Sequence, residues 1–158
     1  MNTTIRFAAV CAALMLAVPA AAEPAAREEA AWRWLDQAMA PTLNQEQRAK
    51  LTWAAYNNAA GSLCNEVAVE DAKLGDLLST LLPAPDAADV TPEQRRHLEA
   101  SLMLHLGAAT GILAAENADN LTEFCGEAVA LRDAKEPNNN LFLPATVAEE
   151  PAGEKPKE

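Results

Sequence analysis

Few side chains in this chain are equipped for chemistry. Its 158 residues include three cysteines and two histidines. Cys64 and Cys125 stand 61 positions apart, each on the apolar side of a helical pattern. A catalytic dithiol is normally Cys-x-x-Cys with one thiol of low pKa; no such spacing occurs, so the pair reads as a structural disulfide. His97 and His105 lie a little over two helical turns apart, too far to chelate one ion directly. Neither belongs to His-Glu-x-x-His or Cys-x-x-Cys-His, the spacings of zinc proteases and of covalently attached haem. Zinc held by Cys64, Cys125 and a histidine would require free thiolates, which an oxidising compartment converts to the bridge. His105 falls on an apolar seam and is the candidate to contact a haem, or another apolar ligand, enclosed between helices near Tyr56 and Met103. The commoner role for such a residue is a satisfied core histidine. Ser62, Ser79 and Ser101 lack the Gly-x-Ser-x-Gly setting of a hydrolase nucleophile. No residue set supplies a catalytic mechanism, so the expectation is a non-enzymatic protein without a metal or cofactor.

The compartment follows from the N-terminus. Arg6, the apolar run Phe7 to Val18, Pro19 and Ala20-Ala21-Ala22 match a secretory signal peptide cut before Glu23. The apolar run is too short to span a bilayer, and no later segment has the roughly 18 consecutive apolar residues of a membrane helix. Cys11 leaves with the signal, and the exported chain keeps an even pair of cysteines. A periplasmic or secreted protein without a stable membrane anchor is therefore expected, the periplasm first. The formal charge is −11, with 23 carboxylates, and it becomes one unit more negative once Arg6 is removed. Such a field repels phosphates and anionic lipid, which excludes nucleic-acid binding. Basic partners, cations and simple solubility are compatible with it.

Helices must position these residues, because alanine is abundant and aromatics make up only 4% of the chain. The pattern from Glu23 to Ala40 places Trp32, Leu35, Ala38 and Met39 on one face, and Pro41 stops it. Trp32 and Trp34 cannot both face inward, so one of them is a candidate interaction residue. Asn44 and Gln47 form a capping box opening a second helix, with a seam Ala49, Trp53, Tyr56, Ala60, Leu63 and Val67 and with Cys64 at its end. A third helix runs from Asp71 to Leu82. After the proline-containing loop to Val90, Thr91-Pro92-Glu93-Gln94 carries every element of a helix start. Leu98, Leu102, His105, Leu106, Ala109, Ile112 and Leu113 follow along one side. Gly107 and Gly111 would permit close approach of a neighbouring helix, with Ala60 and Gly61 as the opposing small surface. Continuing that seam past Asn117 would bury Glu123 and Glu127, so a break is expected at Asn117 to Asn120. A last helix then begins with a capping box at Asn120 and buries Leu121, Phe124, Cys125, Ala128 and Leu131.

These readings add up to an all-α protein: signal peptide 1–22, a helical domain over 23–135, and a disordered acidic tail over 136–158. Within the tail only Leu141-Phe142-Leu143 is apolar enough to dock. The domain is a compact four- to five-helix bundle with one disulfide linking the second and last helices. The expected function is that of a small exported protein acting by protein–protein interaction or as an accessory or stress protein, its partner and oligomeric state unspecified. The alternative is a periplasmic carrier of an apolar ligand or haem within the bundle. In architecture alone the plan also resembles the acid-stress chaperones of the HdeA type, small periplasmic helical proteins held by one disulfide. That resemblance implies protonation of carboxylates at low pH and exposure of apolar faces.

Overall fold

A computed structural model describes residues 24–84, 87–134 and 141–145. The expected signal peptide and cleavage site, and all of the expected acidic tail except 141–145, lie outside these residues. Five helices follow one another: α1 (Pro24–Met39), α2 (Gln45–Leu63), α3 (Asp71–Ser79), α4 (Pro92–Glu116) and α5 (Leu121–Arg132).

The helix starts at Asn44 and Thr91 form as the sequence predicts. Each side chain accepts from the backbone N–H three residues on, and the glutamine there returns a bond to the cap backbone. Two orphan N–H groups are thereby satisfied at each end. The break between α4 and α5 is also present, but Asn120 makes no side-chain cap bond. Its backbone (φ −124°, ψ 32°) is outside the extended conformation used by the other two caps, and Leu121, expected inside, is 40% exposed. The α4 C-terminus is closed instead by Asn117, whose Nδ2 donates to the Leu113 carbonyl at 2.8 Å.

The α2 seam differs from expectation. Ala49 faces solvent, and Trp53 and Tyr56 are half-buried. The fully buried side is Leu51, Ala54, Ala55, Asn57, Ala59 and Ala60. A pattern traced through the largest side chains misplaces this face because α2 is the central helix, packed on α3, α4 and α5. Small alanines let those backbones come close, while the aromatic rings fill the flanks. Gly107 and Gly111 fail their expected role as well: a methyl at either would meet nothing within 4 Å. The close approach is at Gly61, where a built Cβ would lie 2.7 Å from Val69 Cγ2.

Two apolar clusters fill the interior. The first gathers Leu35, Met39 and Leu43 with Leu51 and Ala55 of α2 and with Leu102, Leu106 and Ala109 of α4. The second holds Ala59, Ala60, Cys64 and Val67 with Phe124 and Ala128 of α5. Leu141 closes the first and Phe142 the second, so the apolar triplet of the tail docks as expected. It docks by backbone pairing: Leu143 N donates to the Ala68 carbonyl (2.8 Å) and Glu70 N to the Leu141 carbonyl (2.7 Å). Phe142, 1% exposed, is among the largest fully buried side chains. Asn57 holds the join. Its Nδ2 donates to the Trp53 carbonyl at 2.8 Å, and its Oδ1 accepts the Leu141 N–H at 3.2 Å.

Candidate functional site

The two cysteines are joined. Cys64 caps the C-terminus of α2, Cys125 lies in the first turn and a half of α5, and the bridge spans Cα atoms 5.4 Å apart. With both sulfurs bonded, no thiolate remains at this position for redox or metal chemistry. Among the described residues no group of three His, Cys, Asp or Glu side chains is placed to hold a metal ion.

The histidines occupy opposite situations on α4. His97 is on the surface, 3.9 Å from Glu93 of its own helix. His105 is 7% exposed, and its Nδ1 is sealed from solvent with no hydrogen-bond partner. Leaving a buried polar atom unpaired costs about 1–3 kcal/mol, and such groups mark strain, function or an unplaced ligand or water. The satisfied core histidine that the sequence makes the commoner case is therefore absent at Nδ1.

His105 lines a cavity of about 210 Å³. Three elements enclose it because three helix ends meet there. Thr42 and Leu43 come from the α1–α2 turn, Leu81, Leu82 and Pro83 from the chain leaving α3, and Leu98, Ser101, Leu102 and His105 from α4. Gln47 in the first turn of α2 completes the wall and ties two of these elements, its Nε2 donating to the Leu81 carbonyl at 3.4 Å. Arg95 secures the far side by donating to the Pro83 and Ala84 carbonyls. An adjoining hollow shares Thr42, Leu98 and Ser101 and leads outward past Val90 and Gln94 to His97.

The constellation expected around His105 does not assemble. Met103 points outward, 57% exposed. Tyr56 belongs to the other cluster, stacked on Trp53 (centroids 5.6 Å apart, planes within 4°) and edge-on to Phe124 at 5.3 Å. Burial first, and the Glu127 charge second, hold its phenol above the ordinary value of 10.0. The space beside His105 also falls below the roughly 300–1,000 Å³ of ordinary cofactor pockets, which leaves no room for a haem.

A second feature is a surface that the sequence reading missed. On the solvent side of α4, Ala100, Met103, Leu104, Gly107, Gly111 and Ala115 are all exposed, Leu104 to 68%. No charged residue interrupts this stretch between Glu99 and Glu116. The 25-residue helix contains an 18-residue stretch of mean hydropathy 1.4 and is, by length and composition, apolar enough to cross a membrane, although no unbroken apolar run reveals it. The absence of charge was the available signal. Of the tryptophans, Trp34 is the outward one, 59% exposed. Trp32 is half-buried and donates from Nε1 to the Glu116 carboxylate, pinning α1 to the end of α4.

Comparison with family models, with curated proteins and with solved structures returns no match for this chain.

Proposed function

We propose that this protein is an exported, non-enzymatic binding protein that presents the outer face of α4 to a basic amphipathic segment of another protein. The observation that carries this reading is the charge-free apolar surface of Met103, Leu104, Gly107 and Gly111. A helix in a monomeric bundle normally turns a polar face to water, and a contiguous exposed apolar surface marks an interaction site. The glycines deepen the surface, since among the described residues nothing lies within 4 Å of a methyl built on either. Charge selects the partner. With −11 on the chain and Glu99 and Glu116 at the ends of the face, an apolar segment flanked by Lys or Arg is attracted and a second copy of this chain is repelled. The disulfide and the signal-like N-terminus support an oxidising, extracytoplasmic location, the periplasm first.

Calorimetric titration with a synthetic Leu/Lys amphipathic helix, and with its Leu/Glu counterpart, tests the reading. The basic peptide is expected to bind and the acidic one not. The neutral replacements Met103→Gln and Leu104→Gln are expected to weaken binding at least tenfold while leaving the circular dichroism spectrum unchanged. Binding that survives both replacements would show non-specific charge attraction and overturn the reading. So would a stable dimer of this chain sealed through the same face.

A further inference from the structure

We propose that the cavity beside His105 is a binding site for a small, neutral, apolar molecule carrying one hydroxyl group, such as a phenol or a medium-chain alcohol. Size sets the first limit. An apolar cavity of about 150 Å³ accepts benzene, so about 210 Å³ suits a ring with one or two small substituents. The wall sets the second. Leu43, Leu81, Leu98 and Leu102 supply apolar surface, and among the described residues no Asp, Glu, Lys or Arg lines the cavity, so a charged head group would find no opposite charge among them.

His105 sets the third limit. Its imidazole lines the cavity, and Ser101, one helical turn before it, opens onto the same space. A hydroxyl is able to donate to a neutral imidazole nitrogen and to accept from a neighbouring hydroxyl, so one group on the ligand answers both residues. A purely apolar ligand would offer the His105 ring and the Ser101 hydroxyl no partner, and a larger one would not fit. The adjoining hollow that shares Leu98 and Ser101 and runs out to His97 gives a route in. This site lies on the inner side of α4, and its occupancy is independent of the outer face assigned above to a protein partner.

Toluene and p-cresol, which differ by one hydroxyl, distinguish recognition from mere filling. Each is titrated into the full disulfide-bonded protein while leucine methyl signals are followed by NMR. Saturable shifts are expected at Leu43, Leu98 and Leu102, with p-cresol severalfold tighter than toluene. His105→Leu is expected to abolish that preference, because the cresol hydroxyl then loses one of its two partners in an otherwise more apolar site. His105→Gln, which keeps a hydrogen-bonding group, is expected to retain it and serves if the leucine variant does not fold. The proposal is overturned if neither probe gives saturable shifts, if toluene binds the unaltered protein as well as p-cresol does, or if the shifts fall on Met103 and Leu104.

Discussion

At the scale of single residues, two buried polar side chains and one half-buried phenol meet an interior made mostly of alanine and leucine, and each is treated differently. Asn57 has a partner at both its amide nitrogen and its amide oxygen, His105 Nδ1 has none, and Tyr56 is held with its phenol above the ordinary value by burial and by Glu127. The Tyr56 shift has a definite sign. A folded-state value raised above the unfolded one contributes stability that is complete below the unfolded value near 10.0 and is lost as pH rises through the folded value. Spectrophotometric titration should therefore place the Tyr56 midpoint above 10.0 in the folded protein. Tyr56→Phe should abolish that step and make the protein more resistant to alkali, with little change at neutral pH. The acid side is governed by exposed groups. Glu46, bonded to Lys50, and Asp133, bonded to Arg132, are held below the usual carboxylate values. Their contributions are present above the unfolded values and lost as pH falls through the folded ones, but solvent screens both pairs.

At the scale of elements, the boundaries legible in the sequence were those written in local chemistry. Asn44 with Gln47 and Thr91 with Gln94 specify their helix starts through bonds that need no tertiary partner. Asn120 carries the same signature without forming the cap, because Phe124 and the bridge fix the placement of α5 from outside it. Faces were harder to read than ends. The α2 pattern through Trp53 and Tyr56 is a valid helical stripe, yet the helix buries its alanines, since burial is decided by how many neighbours surround an element. The cavity was only half legible: His105 stood out, but Thr42, Leu81 and Pro83 reach it through two chain connections that no periodicity links. The glycines give a direct check on this account. Gly107→Ala should stabilise by up to about 1 kcal/mol through helix propensity alone, since the methyl enters open space. Gly61→Ala makes the same gain against an overpacking cost of about 1–3 kcal/mol, as stiff, β-branched Val69 must move. Chemical denaturation should find opposite signs for the two substitutions.

At the scale of the whole molecule, stability is concentrated in long-range closures. The bridge closes a loop of 61 positions, which on the chain-entropy account stabilises by about 4 kcal/mol. That is comparable with the entire stability of a small domain, about 5–15 kcal/mol. A Cys64→Ala, Cys125→Ala double variant should therefore lose most of its resistance to urea. It should also lose the second cluster before the first, visible as early solvent exposure of Tyr56 and Phe124 while Leu35 and Leu102 remain protected from hydrogen exchange. An equal, simultaneous loss of both clusters would instead mark one cooperative unit. The cavity is walled in part by Leu43, Leu81 and Leu102 of the first cluster, and the exposed face lies on the outer side of the same helix α4, so each should survive reduction at moderate temperature.

Phe142 adds a consequence in time. A chain emerges from the ribosome in order, and all five helices precede this residue. Until it arrives, Val67, Ala60 and Phe124 have no lid, and the Asn57 amide oxygen lacks its partner. The interior is thus finished by one of the last described residues to be made, and a nascent helical body must wait, unsealed and dependent on its surroundings, for its final apolar side chain.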